Sequence, residues 1–184
     1  MAIHGLRYIE DFVTEAEELQ LLEAVDREAW LTDIQRRVQH FGYRYDYKAR
    51  SVDASQRLGP LPEWAQPVVR RLADGGHMQG SPDQLIVNEY RPGQGIGAHV
   101  DAPSFGPEVC SVSLGSPCVM NFAEVAGPGR ESLELARRSL LVLSGPARYG
   151  WKHAIPTRAS DRIGGRDVPR GRRVSLTFRT VITS

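Results

Sequence analysis

The chain has 184 residues, of which 41% are hydrophobic and 24% are charged. This composition is that of an ordinary soluble protein and excludes the disordered, collagen-like and disulfide-dense classes. The length predicts a single domain over residues 1–184, because a chain of this size buries about two thirds of its unfolded surface. Cys110 and Cys118 each lie in an apolar, strand-like run, which favours two reduced core thiols over a disulfide.

No segment has the pattern of a membrane span or a secretion signal. The longest aliphatic run, Leu140–Leu143, is far shorter than the roughly 20 apolar residues that a spanning helix requires. The first residues, MAIHGLRYIEDF, lack the apolar region of a signal peptide. We therefore expect a cytoplasmic protein with no membrane partner, and we expect it to be monomeric.

The net charge of +1 conceals two basic segments. Residues 148–184 carry nine Arg or Lys against two Asp, and residues 36–50 carry five basic residues against one Asp. Four aromatic residues are interleaved in the second segment: Phe41, Tyr43, Tyr45 and Tyr47. Cationic segments with aromatic rings suit single-stranded nucleic acid, because Arg and Lys neutralise phosphates while bases stack on the rings. A β-hairpin with packed tyrosines and solvated arginines is the alternative.

The first predicted element is a helix over about residues 15–29, which begins with a capping box formed by Thr14 and Glu17. Its apolar stripe consists of Leu19, Leu22 and Val25. A second helical segment is predicted over about residues 62–73, where Pro67 kinks or restarts the helix. We expect both segments to pack against the rest of the domain.

From residue 84 onward the pattern changes to short strands. Six apolar runs alternate with Gly- and Pro-bearing turns: QLIVNEY, EVCSVSLG, PCVMNF, SLELA, SLLVLS and RVSLTFRTV. No helical patterns alternate with these runs, so an antiparallel sandwich or barrel is favoured over a parallel sheet. Residues 161–173 are rich in Gly and Arg, and they predict a mobile cationic loop between the last strands.

His99 and Asp101 lie two residues apart in GQGIGAHVDAP. In a strand, residues i and i+2 project from the same face, so an imidazole and a carboxylate can converge on one metal ion. A structural hydrogen bond between the two side chains explains this pair equally well. His153 in RYGWKHAI is the candidate third ligand of a site with two histidines and one carboxylate, with packing beside Trp151 as the alternative.

The last predicted strand has a polar, cationic face. Four polar residues alternate with apolar ones in RRVSLTFRT: Arg173, Ser175, Thr177 and Arg179. If this face points inward, its two arginines require a dianionic ligand, and a small dicarboxylate fits because arginine pairs with carboxylates in bidentate geometry. An edge strand with a charged outer face is the alternative.

Three segments together resemble the core motifs of the AlkB family of iron(II)- and 2-oxoglutarate-dependent dioxygenases: NEYRPGQGIGAHVD at 88–101, His153 in YGWKHAI, and RRVSLTFR at 172–179. The resemblance covers about residues 37–181. It implies a mainly β fold with flanking helices, a double-stranded β-helix of the jelly-roll or cupin-like type. Its barrel core would occupy about residues 84–181, and a nucleotide-facing lid would occupy about residues 36–50.

The resemblance also implies roles for individual residues. The implied iron ligands are His99, Asp101 and His153. The implied 2-oxoglutarate contacts are Asn88, Tyr90, Arg173, Ser175 and Arg179. Of these, Arg173 would hold the distal carboxylate, Arg179 would lie near the end that chelates iron, and Ser175 replaces an Asn found in some members. The implied substrate contacts in the lid are Arg37, Tyr43 and Tyr45.

The implied activity is an oxidation that uses Fe(II), 2-oxoglutarate and O2. The favoured reaction is oxidative dealkylation of N-alkylated bases in single-stranded DNA or RNA, as in alkylation damage repair, on a single-stranded or flipped-out base. Hydroxylation of a modified tRNA base is the alternative. Repair members usually carry an acidic residue after H-x-D, whereas this chain continues with residues APSF at 102–105 and most resembles an AlkB-type domain that hydroxylates tRNA wobble uridines. An oxygenase of proteins or small molecules, a zinc hydrolase and a degenerate binding barrel are further alternatives.

Overall fold

The computed structural model describes residues 2–183. The strands are, in chain order, β1 (Leu6–Ile9), β2 (Val38–Phe41), β3 (Gln84–Tyr90), β4 (Ile96–His99), β5 (Val109–Gly115), β6 (Cys118–Glu124), β7 (Arg130–Leu135), β8 (Leu140–Leu143), β9 (Trp151–Ile155), β10 (Ser160–Ile163), β11 (Arg166–Pro169) and β12 (Arg173–Arg179). The α-helices are α1 (Glu15–Arg27), α2 (Gln66–Asp74) and α3 (Gly145–Tyr149), and short 3-10 helices occupy Ala54–Gln56 and Glu63–Ala65. None of the helices in the described residues has the length and hydropathy needed to cross a membrane.

Two antiparallel sheets form the body of the protein. The larger has six strands in the order β1-β8-β5-β12-β3-β2, and the smaller has four strands in the order β4-β9-β6-β7. Neighbours in the larger sheet are distant in sequence, as shown by β12, which pairs with both β3 and β5. The predicted double-stranded β-helix fold is confirmed.

The six-stranded sheet is covered by apolar side chains on both faces. On one face its residues pack against α1 and α2 in a core that includes Leu21, Leu72, Val87, Val112 and Leu176. On the other face its residues pack against the smaller sheet in a core that includes Tyr90, Met120, Phe122, Leu141 and Trp151. Cys110 belongs to the first core and Cys118 to the second, and both are buried free thiols.

Helix α1 begins with the predicted capping box, but its buried face differs from the predicted stripe. The placement of Leu19 on that stripe is wrong, because Leu19 is 60% exposed whereas Leu21 is buried. Glu18 occupies a further core-facing position, where its carboxylate accepts hydrogen bonds from Arg137. A buried ion pair therefore takes the place of an apolar contact, which hydropathy alone does not reveal.

Residues 161–173 do not form the predicted loop, because β10 and β11 pair as an antiparallel hairpin within this part of the chain. Asp161 is buried and accepts hydrogen bonds from Arg158 at 2.8 Å and from Arg170 at 2.6 Å. Arg170 also donates to the carbonyl oxygen of Gln94, which ties the hairpin to the segment before β4. Charge pairing orders this hairpin, and the absence of apolar periodicity was therefore misleading.

The sequence analysis does not predict β1, β2, β4 or β9, and two of these strands carry candidate metal ligands. Strand β4 follows Gly95, at which a Cβ atom would lie 2.1 Å from the carbonyl oxygen of Ile155 at the end of β9. Glycine is therefore required for the close approach of these two strands. A strand of only four residues, with the sequence IGAH, has little apolar pattern to detect.

Candidate active site

The three predicted metal ligands converge between β4 and β9. His99 ends β4 and lies opposite His153 of β9 in the antiparallel register. Asp101 Oδ1 lies 3.4 Å from His99 Nε2 and 3.6 Å from His153 Nε2. One ligand atom from each residue lies within 4.8 Å of the other two. Two imidazole nitrogens and one carboxylate oxygen at these separations fit an iron(II) ion with open coordination positions.

A hydrogen bond orients the imidazole of His99, and burial keeps the imidazole of His153 neutral. His99 Nδ1 lies 2.8 Å from the carbonyl oxygen of Gly97, so Nδ1 carries the proton and Nε2 presents its lone pair. Burial lowers the pKa of His153 to about 4, and its ring is therefore neutral near pH 7. Neutral imidazole is the ligand form, because a protonated ring has no free lone pair.

Arg179 keeps Asp101 ionised and oriented. Its Nε donates a hydrogen bond to Asp101 Oδ2 at 2.8 Å, while Oδ1 is the oxygen nearer to the two imidazoles. Burial alone would raise the pKa of Asp101, but the charge of Arg179 holds this pKa well below its usual range. The Arg179 guanidinium also lies 4.4 Å from the ring centroid of Phe105.

A buried arginine that the sequence analysis missed anchors the segment after the H-x-D motif. Arg148 in α3 is 2% exposed. It donates hydrogen bonds to four backbone carbonyl groups, those of Asp101 (2.9 Å), Ala102 (2.9 Å), Phe105 (3.4 Å) and Gly106 (3.3 Å). Burial lowers the pKa of Arg148. Residues 101–106 are thus held by one side chain from a different element.

Side chains of β3 and β12 line a narrow inner cavity beside the three ligands. Arg173 lies opposite Tyr90, and Ser175 lies opposite Asn88, in the antiparallel register. Arg173 is 3% exposed, and its Nη2 donates to Ser113 Oγ at 2.9 Å. Its Nε and Nη1 are buried and have no hydrogen-bond partner among residues 2–183. Buried N–H groups without acceptors indicate a ligand, and the fork of a guanidinium fits a carboxylate.

The structure brings all the predicted 2-oxoglutarate residues to this inner cavity: Asn88, Tyr90, Arg173, Ser175 and Arg179. Thr177, which the resemblance did not single out, also lines this cavity. Its hydroxyl oxygen lies 2.9 Å from Ser111 Oγ and 3.3 Å from Ser175 Oγ. The short Ser175 side chain therefore belongs to a row of hydroxyl groups along one wall.

An outer cavity of about 300 Å³ opens onto His99 and Asp101 from the side of the lid. Tyr45 stacks on Phe105 with 5.7 Å between ring centroids and meets Tyr47 edge-on at 5.0 Å. The Tyr47 hydroxyl is buried and has no hydrogen-bond partner in the described part of the chain. Arg36 also lines this cavity. The cavity can therefore hold a planar group and supply it with hydrogen-bond donors.

Of the three residues predicted to contact substrate, Tyr45 lines the outer cavity, and Arg37 and Tyr43 do not. Arg37 lies on the helix side of the larger sheet, where Glu89 accepts its hydrogen bonds at 2.7 and 2.9 Å. Tyr43 lines a separate cavity. Arg36 reaches the outer cavity instead, and the side chains of these two neighbouring residues, which directly precede β2, lie on opposite sides of the larger sheet. Strand parity in RRVQHF was the signal that could have separated the two arginines.

The comparisons with known proteins agree with this geometry. The model of the 2OG-Fe(II) oxygenase superfamily matches residues 5–179. The chain is 41% identical to the alkylated DNA repair protein ALKBH8 homolog of Arabidopsis thaliana, over 97% of this chain and 59% of that protein. It is 38% identical to the tRNA (carboxymethyluridine(34)-5-O)-methyltransferase ALKBH8 of Mus musculus, over 96% of this chain and 30% of that protein. The chain therefore spans only part of the length of these two relatives.

The fold is shared with a solved structure, that of OsALKBH1, at a TM-score of 0.74 and 18% sequence identity over 96% of both chains. The superfamily model covers nearly the whole chain and includes the converging histidines and aspartate. The chain belongs to the 2OG-Fe(II) oxygenase superfamily and, within it, to the AlkB family of iron(II)- and 2-oxoglutarate-dependent dioxygenases.

Proposed function

We propose that this dioxygenase oxidises an alkyl group on a nucleobase of a single-stranded or flipped-out nucleotide. The observation that carries the proposal is the outer cavity, in which the stacked rings of Tyr45 and Phe105 stand beside the cationic Arg36 and above the candidate iron ligands. Bases stack on aromatic rings, and arginine binds phosphates and base acceptors. A base inside a duplex could not enter such a cavity without leaving the stack.

The proposed roles of the side chains follow from their contacts. His99, Asp101 and His153 hold iron, and Arg173 binds the distal carboxylate of 2-oxoglutarate through its two unpartnered nitrogens. With iron and 2-oxoglutarate bound, the site converts 2-oxoglutarate and dioxygen to succinate and carbon dioxide and transfers one oxygen atom to a C–H bond. Arg179 keeps Asp101 ionised by its hydrogen bond.

The atom to which the oxidised carbon is attached decides the product. If that carbon is attached to a base nitrogen, the hydroxylated product breaks down to an aldehyde and the free base. If it is attached to carbon, the hydroxyl group stays. The same site can therefore serve repair or modification, and the two relatives are named for alkylated DNA repair and for a tRNA carboxymethyluridine methyltransferase.

One observation favours hydroxylation of a modified tRNA base, with dealkylation of N-alkylated bases as the second candidate. N1-methyladenine and N3-methylcytosine are cations. Among the described residues that line the outer cavity, Asp101 is the only carboxylate, and it is paired with Arg179. Arg36 and Arg50 add positive charge to the same cavity. These donors suit a neutral or anionic base that presents acceptors, such as a modified uracil.

Succinate release by the iron-loaded protein tests the proposal. Single-stranded oligonucleotides that carry 5-carboxymethyluridine, N1-methyladenine or N3-methylcytosine are compared with the unmodified strand, and turnover without substrate is subtracted. We expect the modified uridine to stimulate succinate release and to gain the mass of one oxygen atom. Formaldehyde release from the methylated bases would favour the repair reaction. If no oligonucleotide stimulates turnover, the proposal is wrong and a protein or small molecule is the substrate.

A further inference from the structure

The inner and outer cavities share the side chain of Asn88, which lines both. Arg36 lines the outer cavity, and its Nε donates a hydrogen bond to Asn88 Oδ1 at 2.8 Å. The Arg36 guanidinium carbon lies 5.9 Å from the ring centroid of Tyr90, and that of Arg173 lies 5.3 Å from the same ring. From the substrate side, Arg36 therefore contacts two residues that are proposed to surround 2-oxoglutarate.

The hydrogen bond from Arg36 fixes the orientation of the Asn88 amide. Because Oδ1 accepts from Arg36, the two N–H groups of Asn88 Nδ2 remain for acceptors on its other side. A dicarboxylate in the inner cavity presents only acceptors. The opposite orientation would place the amide oxygen against a carboxylate, which is unfavourable.

The terminal nitrogens of Arg36 are available to a substrate. Within residues 2–183, Arg36 forms a side-chain hydrogen bond through Nε, and its Nη1 and Nη2 bind no protein acceptor. Arg37 differs in this respect, because Glu89 accepts hydrogen bonds from both its Nε and its Nη2. An acceptor group on a substrate in the outer cavity can therefore bind Arg36 while Nε stays on Asn88.

We propose that Arg36 is a positioning residue that couples the binding of 2-oxoglutarate to the binding of the substrate. The inference rests on the proposed function, since it requires a substrate with acceptor groups in the outer cavity. The substrate fixes Arg36, Arg36 fixes the Asn88 amide, and this amide donates to 2-oxoglutarate. By linkage, each ligand raises the affinity for the other by the same factor.

Calorimetric titration of 2-oxoglutarate into the manganese-loaded protein measures this coupling without turnover. The substrate probe is the oligonucleotide that gives the most succinate in the panel described above. In the wild type, we expect a saturating concentration of this probe to tighten 2-oxoglutarate binding about fivefold or more, and the reciprocal titration should give the same factor. In Arg36→Ala, we expect weaker 2-oxoglutarate binding and no tightening by the probe.

Arg44→Ala is the matched control, because Arg44 is an arginine of the same basic segment with a 60% exposed side chain and lines neither cavity. It should retain the coupling of the wild type. If Arg36→Ala also retains that coupling, the inference is overturned.

The Asn88→Ala variant distinguishes positioning from a general structural effect. If Arg36 acts through Asn88, adding Arg36→Ala to Asn88→Ala causes no further loss of 2-oxoglutarate affinity. An equal loss in both backgrounds would overturn the inference while leaving the proposed function intact. If the proposed function is wrong, the result differs, because no oligonucleotide then binds the wild type. In that case both the proposed function and the coupling are overturned.

Discussion

Replacing Arg173 by Met separates two effects of this residue: its effect on the free energy of unfolding of the ligand-free protein and its contribution to the binding of 2-oxoglutarate. In the free protein, the buried guanidinium donates to Ser113, while its Nε and Nη1 have no partner among the described residues. Burying a charge with unsatisfied donors costs several kcal/mol, and an apolar side chain of similar volume does not carry this cost. We therefore expect Arg173→Met to leave the free energy of unfolding of the ligand-free protein unchanged or to raise it.

The same substitution removes the proposed pair between Arg173 and the distal carboxylate of 2-oxoglutarate. Removing one partner of a buried, hydrogen-bonded charge pair costs about 2–5 kcal/mol, which weakens binding by about thirtyfold to several thousandfold. Thermal unfolding of the manganese-loaded protein measures both effects, because a ligand at about 100 times its Kd adds about 2.7 kcal/mol to the stability. At that concentration, 2-oxoglutarate should raise the Tm of the wild type by much more than that of Arg173→Met.

Arg166→Met is the control for this experiment, since Arg166 is an exposed residue of β11 that lines neither cavity. It should retain the rise in Tm that 2-oxoglutarate causes. If Arg173→Met binds 2-oxoglutarate with the affinity of the wild type, the carboxylate is held elsewhere. The interpretation of the two unpartnered nitrogens would then be refuted.

Three further predictions concern the larger sheet, the segment after H-x-D and the lid. Burial would raise the pKa of Glu89, but hydrogen bonds from Arg37 and Arg172 lower it from 4.5 to about 2. The ionised Glu89 therefore adds about 3 kcal/mol to the free energy of unfolding above the unfolded pKa, and this contribution is lost as the pH falls toward 2. Urea unfolding should show a smaller acid-induced loss for Glu89→Gln, and equal losses would contradict this pairing. Arg148→Met leaves four carbonyl groups without their donor. It should lower the free energy of unfolding by about 3 kcal/mol or more and weaken iron binding. Unchanged urea unfolding would show that residues 101–106 keep their conformation without Arg148. Tyr45→Ala should weaken oligonucleotide binding by about 1–3 kcal/mol in fluorescence anisotropy, whereas Tyr43→Ala should not. Unchanged binding by Tyr45→Ala would exclude Tyr45 as the stacking surface.

The residues of the inner cavity and the candidate metal ligands could be predicted because short spacings and strand parity tie them together. His99 and Asp101 are two residues apart, and Arg173 and Ser175 share a face of β12 as alternation requires. The third ligand, His153, came from the order of motifs along the chain, and the register of β4 with β9 explains its position.

The remaining features depend on charges that meet across long separations in sequence. Parity distinguishes Arg36 from Arg37, but it cannot reveal that Glu89, 52 residues away, pairs with Arg37. The burial of Arg148 and its hydrogen bonds to residues more than 40 positions earlier are also tertiary facts. The burial of Glu18 on α1 is also a tertiary fact. Hydropathy assigns this residue to the surface, but a hydrogen bond from Arg137 stabilises its carboxylate in the core.

Anaerobic titration with iron(II) and then 2-oxoglutarate, followed by visible absorption, tests the central claim most directly. The proposed site of His99, Asp101 and His153 predicts one iron per chain and an absorption band that requires both iron and 2-oxoglutarate. Asp101→Ala should lose the iron and the band while its far-ultraviolet circular dichroism stays that of the wild type. Stoichiometric iron and an unchanged band in Asp101→Ala would contradict the account.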